Sequence, residues 1–416
     1  MLAKYKTITI KIIQKGVFCL CSLLFFFYTV NAQKFQLSQN RKRQSIPFKS
    51  IKNLIVIPVL INGNGPYDFI LDTGVGPMII TDPYILDPLD FNALKKIEIS
   101  GLGTDTVEAY VSQSVSAQIG RAEISNIPTV VLKDDLFNLS GYLGQKIYGI
   151  IGFSFFNSFV VDIRYSQSRL IIYGDEAKIK FRGERVPLEI YNQRPYVLAE
   201  VAVSDSVKVT AKFLIDTGAS HALSMETWDN GSFPMPEKRI SASLGMSLSG
   251  RIKGNVGRIT SLNFGGYVFK DIVAGFPNYK TIIAKIAGSK RNGNLGAELL
   301  RRFDLQFDYA NSGVYLKLNS YAKKPFNYDR VGAVLYLDQE KFKRYLIAEV
   351  DDDSPADRAG LLSGDEVLSI NFIGIVNYSL DELTEMFKSG RQKLIVFEIA
   401  RDGKVIFRFV SPENRI

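Results

Sequence analysis

The chain has 416 residues, 46% hydrophobic and 22% charged, with a formal net charge of +9, two cysteines and a single histidine. That poverty of His and Cys excludes most common hydrolytic chemistries: a Ser-His-Asp or Cys-His site needs a histidine held by a third group, and a typical zinc site needs several His, Cys or carboxylate ligands. The length predicts two or three domains.

Residues 1–32 carry Lys4, Lys6, Lys11 and Lys15, then an apolar run from Gly16 to Val30, and end in Val30-Asn31-Ala32. This is the pattern of a secretory signal peptide cut near Gln33. Left uncut, the run would act as a membrane tether, although it is a little short of the ~20 residues that span a bilayer. Both cysteines, Cys19 and Cys21, lie in this segment, so the mature chain is expected in a periplasmic or extracellular space without disulfides. Removing the four lysines lowers the net charge from +9 to +5. The basic cluster Arg41-Lys42-Arg43 has no interleaved aromatics and reads as a solvated linker, so no nucleic-acid partner is expected.

Past the linker the chain reads as strands and turns. Leu54 to Ile61 is an apolar strand, Asn62-Gly63-Asn64-Gly65 a turn, and Tyr67 to Leu71 a second strand running into Asp72-Thr73-Gly74. The order recurs: Tyr196 to Val203, a polar turn at Ser204-Asp205-Ser206, then Val207 to Ile215 running into Asp216-Thr217-Gly218. A glycine in apolar surroundings follows each Asp by 80 residues, at Gly152 and Gly296. The offset between copies is 144 here, and again between Gly101 and Gly245, Phe159 and Phe303, and Tyr165 and Tyr309. The chain therefore contains an internal duplication. Helical signals are few; the best short one runs from Ala297 to Phe303.

Beyond residue 320 the repeat stops. Strands are expected at Val331 to Leu337 and Tyr345 to Val350, then an amphipathic helix from Ser379 to Lys388 with Ser379 as its N-cap, and a hairpin turning at Asp402-Gly403. The predicted organisation is a signal peptide at 1–32, lobes at 33–178 and 179–320, and an independent third domain at 321–416.

The repeated turn has a chemical reading. Asp supplies a carboxylate, Thr73 and Thr217 supply hydroxyls able to bond across to the opposite lobe, and Gly74 and Gly218 let the backbone turn with amides near the carboxylate. Two carboxylates ~3 Å apart repel by roughly 5 kcal/mol at an effective dielectric near 20, so one proton stays between them. Such a pair can hold a water, one Asp acting as base while the other donates to a carbonyl oxygen. His221, five residues after Asp216, is expected at the rim of a loop.

The duplicated Asp-Thr-Gly with its downstream glycine resembles the pepsin-like and retropepsin-like aspartic proteases over about residues 50–318. The resemblance implies a mainly β, bilobal fold of two retropepsin-like lobes, Asp72 and Asp216 as the catalytic pair, and Gly152 and Gly296 on ψ-shaped loops behind them. Val75 and Ala219 stand where pepsin-like enzymes place Ser or Thr, which implies an optimum less acidic than pepsin's, and Asn294 replaces an apolar residue of the downstream motif. The Gly-rich stretches around Gly101 and Gly103, and around Gly245, are flap candidates. Residues 326–411 resemble a PDZ domain through Ser354-Pro355-Ala356, Ala359-Gly360-Leu361 and Gly364-Asp365-Glu366-Val367-Leu368. That resemblance implies a carboxylate loop at Val331, Gly332 and Ala333 and a groove for a C-terminal peptide. The expected activity is that of an exported aspartic endopeptidase acting on peptide or protein substrates, compatible with a monomer and without metal or cofactor. The alternative is an inactive, protease-like peptide-binding or scaffold protein.

Overall fold

A computed structural model describes residues 33–38, 41–86, 91–100, 106–133, 138–247, 250–289, 291–338 and 343–416. The expected signal segment, with Cys19 and Cys21, and the flap candidates Gly101 and Gly103 lie outside the described residues. Lys34–Ile416 forms one compact unit. No helix among the described residues is long and apolar enough to cross a membrane.

The first lobe is built on a nine-stranded sheet. Its Leu54–Ile61 strand is buried almost throughout, as its near-continuous run of apolar residues requires. Asn62 and Gly63 both take positive φ, 49° and 81°, as a tight hairpin turn demands. The chain returns antiparallel along Asn64–Leu71, pairing Val56 with Ile70. The second lobe repeats the plan in an eight-stranded sheet, where Arg194–Ala202 pairs antiparallel with Lys208–Asp216. Each lobe also breaks the antiparallel pattern behind its Asp. Gly149–Ile151 lies parallel to Asn64–Leu71, and Gly293–Gly296 lies parallel to Lys208–Asp216.

A third, six-stranded sheet belongs to both lobes. Val160–Arg164 pairs antiparallel with Phe303–Asp308, and Asp162 faces Gln306. Those two residues are repeat equivalents, since 306 − 162 = 144. An antiparallel pair in which a residue faces its own equivalent lies on the pseudo-twofold axis of the duplication, so this sheet marks that axis. Aromatic side chains from both copies fill the space beside it: Phe156 meets Phe307 at 5.2 Å between ring centroids and stacks on Tyr309 at 5.7 Å.

The third domain has its own six-stranded sheet and a separate core that includes Leu335, Ile347, Val367, Leu383, Phe387 and Phe397. Its helix, Leu380–Ser389, starts at a capping box formed by Ser379 and Glu382 and ends at Gly390 in the left-handed region. The first strand begins at Ala333 rather than Val331, because the Val331 and Gly332 amides are committed to the Asp329 carboxylate. The helix after Gly296 is also shorter than expected, Ala297–Leu300, since Phe303 already belongs to the shared sheet.

Candidate active site

The parallel strands behind each Asp dictate where glycine is needed. A methyl on Gly152 would lie 2.0 Å from the Asp72 carbonyl oxygen, and one on Gly296 would lie 2.1 Å from that of His221. Only a residue without a side chain allows so close an approach. Each strand is then fixed to its turn: the Asp72 amide donates to the Ile151 carbonyl at 2.8 Å, and the Gly296 amide to the Ala222 carbonyl at 2.9 Å.

Thr73 and Thr217 are fully buried between the lobes. The Thr73 amide donates to Thr217 Oγ1 and the Thr217 amide to Thr73 Oγ1, both at 3.1 Å. Each hydroxyl passes its own proton across the axis, Thr73 to the Ile215 carbonyl at 2.6 Å and Thr217 to the Leu71 carbonyl at 2.9 Å. Four crossed bonds thus fix one turn against the other. The carboxylates meet above them: a methyl on Gly74 would sit 3.0 Å from Asp72 Oδ1 and 3.2 Å from Asp216 Oδ1, and one on Gly218 would sit 2.1 Å from Asp72 Oδ2. Glycine at both positions is what allows the two acids to share the space.

The Gly74 amide donates to Asp72 Oδ1 at 2.6 Å, and the Gly218 amide to Asp216 Oδ1 at 2.9 Å. Loss of water around the Asp72 carboxyl, followed by the charge of Asp216 beside it, pushes Asp72 well above the usual carboxylate range, against the pull of the Gly74 amide and of Arg194. Both causes favour the protonated form of Asp72.

Three neighbours brace the pair, and of these only Asn294 stood out in the sequence. Asn294, which interrupts the apolar motif, donates from Nδ2 to Asp216 Oδ2 at 2.6 Å. Arg194 donates from Nε to the Gly74 carbonyl at 2.7 Å, bracing the first turn from the second lobe. Arg291 forms a two-pronged ion pair with Glu226, at 2.7 and 3.0 Å, and its charge reaches Asp216. His221, expected at a loop rim, instead has a buried Nε2 and lies within electrostatic reach of Asp216 and hydrogen-bonding influence of Asn294. The tight turn that follows Gly218 and folds back under Gly296 carries it inward. Burial depresses its basicity, which keeps the imidazole neutral.

Of the flap candidates, Gly245 sits at a β-bulge with φ 115° in the hairpin made by Arg239–Ser247 and Gly250–Phe264. That hairpin is tied to the third domain, through the Ser243 amide and Asp351 Oδ1 at 3.4 Å and through Ile416 against Ala242 and Val256. The matching hairpin of the first lobe, Lys95–Ser100 with Thr106–Ile119, pairs Ser100 with Thr106.

Residues 57–155 and 199–299 each match the family model described as aspartyl protease, and residues 346–401 match that of the PDZ domain. The chain thus carries two copies of an aspartyl protease domain followed by a PDZ domain. Among solved structures, the aspartic proteinase from Irpex lacteus is similar over 68% of this chain and 100% of its own, at 12% identity and a TM-score of 0.41. No curated protein matches the chain in sequence.

The PDZ domain has a groove of about 200 Å³ between Ala333–Asp338 and Leu380–Ser389, lined by Leu335, Leu380, Leu383 and Phe387 and by Lys52 of the first lobe. Its loop differs from the expected carboxylate cradle. The Val331 and Gly332 amides donate to Asp329, at 3.3 and 2.5 Å, and Arg415 bridges Asp329 and Asp351 at 3.0 and 2.8 Å. An internal carboxylate thus occupies two of the donors a ligand terminus would use. The Lys52 amide bonds Asp381 Oδ1 at 2.9 Å, which fastens the groove helix to the first lobe.

Proposed function

We propose that the chain is an exported aspartic endopeptidase that hydrolyses peptide bonds with a water activated by Asp72 and Asp216. The observation that supports this reading is the set of crossed Thr73 and Thr217 bonds, which fixes the two Asp-bearing turns against each other. In such a site water attacks the scissile carbonyl and yields one proton to the ionised Asp, while the protonated Asp gives its proton to the carbonyl oxygen. The neutral diol then collapses: the first proton passes to the leaving nitrogen as the C–N bond breaks, and a diol hydroxyl returns the second. The pair ends as it began.

The first-lobe hairpin is the better cover for substrate, since its counterpart is held by the PDZ domain. The PDZ groove takes a peptide by strand addition along Ala333–Asp338, with an apolar side chain among Leu335, Leu380 and Phe387. Export follows from the N-terminal segment, and the secreted product should begin near Gln33. Digestion of a peptide library by the full mature chain tests the activity. Cleavage suppressed by a hydroxyl-bearing transition-state analogue is expected, and cleavage indifferent to that analogue would overturn the reading.

A further inference from the structure

We propose that Asn294 decides which aspartate is the base: it holds Asp216 as the ionised member and leaves Asp72 as the protonated one, with His221 fixing the orientation of the Asn294 amide. The proposal rests on the aspartic endopeptidase reading. It starts from a break in symmetry. The two lobes present the same turn, and each Asp accepts the amide of the Gly two residues on. Behind Asp72 the parallel strand carries Ile150, buried and apolar, opposite Ile70. Behind Asp216 the equivalent position, 294 − 150 = 144, is Asn294, opposite Leu214. Its 2.6 Å bond to Oδ2 gives Asp216 a second donor that has no counterpart on Asp72 among the described residues. A donated bond favours the charged form of a carboxylate.

The surrounding charges do not supply this asymmetry by themselves. Arg194 acts on Asp72, while at Asp216 the charge of Arg291 is offset by its partner Glu226, whose carboxylate also reaches Asp216, so the nearby charges do not single out Asp216 for ionisation. Tyr309 lies near Asp72 and is held neutral by burial. His221 is neutral. The neutral donor is therefore what separates the two acids.

An amide can point either way, and the reversed Asn294 would set its oxygen against the Asp216 carboxylate. The forward orientation leaves Oδ1 buried without a bond of good geometry, and His221 Nε2 is buried in the same condition. An imidazole that carries its proton on Nε2 is the tautomer able to donate to that oxygen, and Asn294 already acts on His221, which sets out a line from His221 through Asn294 to Asp216. Asn294 and His221 are positioning residues, since the bonds broken and formed stay with Asp72, Asp216, water and peptide. Water loses its proton to Asp216, and the carbonyl oxygen gains that of Asp72.

The test compares the full mature chain with Asn294→Leu, which restores the apolar character of Ile150. Two pH series are recorded, kcat/KM on a cleaved peptide and melting temperature without substrate. In the variant the acid limb of the rate profile should move toward neutrality by about one pH unit, the tenfold step of one lost hydrogen bond to a charged group, with kcat falling more than KM rises. The loss in melting temperature should be largest near pH 7 and fade below about pH 4, where a carboxylate is protonated and the bond no longer favours it. His221→Phe should move both in the same direction by less. A melting loss equal at every pH, or an unmoved acid limb, overturns the proposal. The melting series needs no activity, so it reads the dyad even if no peptide is cleaved, which separates failure here from failure of the endopeptidase reading.

Discussion

Thr73 and Thr217 do more for this site than their size suggests. Each hydroxyl accepts one amide and satisfies one carbonyl from the opposite turn, in a place without water. Thr217→Val keeps the shape but leaves the Thr73 amide and the Leu71 carbonyl unpaired, at about 1–3 kcal/mol for each buried group. Urea denaturation should show a loss of about 2–4 kcal/mol, and a loss below about 0.5 kcal/mol would mean that the crossed bonds do not fix the turns. Asp72 carries a pH signature. Its folded-state acidity is weakened, so the folded protein binds the proton more tightly than the unfolded chain does. The stability it contributes is full below the ordinary carboxylate value of about 3.9 and is lost as the pH climbs through the raised one. Asp72→Asn removes that loss. Its melting temperature should exceed that of the native chain at pH 7 and coincide with it near pH 3.5; a difference that ignores pH would contradict the assignment.

At the scale of elements, legibility followed local rules. The Asp-bearing strands, the capped helix at Leu380–Ser389 and the hairpin at Asp402-Gly403 were readable because apolar runs, an N-cap and a turn dipeptide are local signals. Asn294 was legible only as a departure: a polar residue in an apolar motif signals a partner, yet the partner is 78 residues away in sequence. His221 gave less, since whether a loop residue turns inward depends on the strand that crosses beneath it. The Asp329 contact in the PDZ loop was illegible for the same reason, because nothing in Asp329-Arg330-Val331-Gly332 says that the aspartate folds back onto the amides that follow. That contact makes a testable gate. Asp329→Ala should free the Val331 and Gly332 amides and raise affinity for a peptide with a free C-terminal carboxylate over its amidated form, read by fluorescence anisotropy. Unchanged discrimination between the two peptides would show that the loop is not a carboxylate site even when vacated.

Across the whole molecule the duplication explains why two short strings become one site. The 144-residue offset seen in the sequence returns in space twice, in the Thr73 and Thr217 bonds and in the facing of Asp162 by Gln306. The shared sheet itself was hidden from the sequence, since strand partners from different lobes leave no local trace, although the recurrence of Phe159 and Tyr165 as Phe303 and Tyr309 marked its edges. The PDZ domain closes the assembly by holding the Lys52 turn on one side and the Arg239–Phe264 hairpins on the other. The most direct test of the whole account is peptide turnover by the full mature chain beside Asp72→Asn and Asp216→Asn, with folding of each checked by circular dichroism. Cleavage by the native chain, and loss of at least a thousandfold in each folded variant, is the expected result; undiminished turnover in either variant would contradict a shared pair.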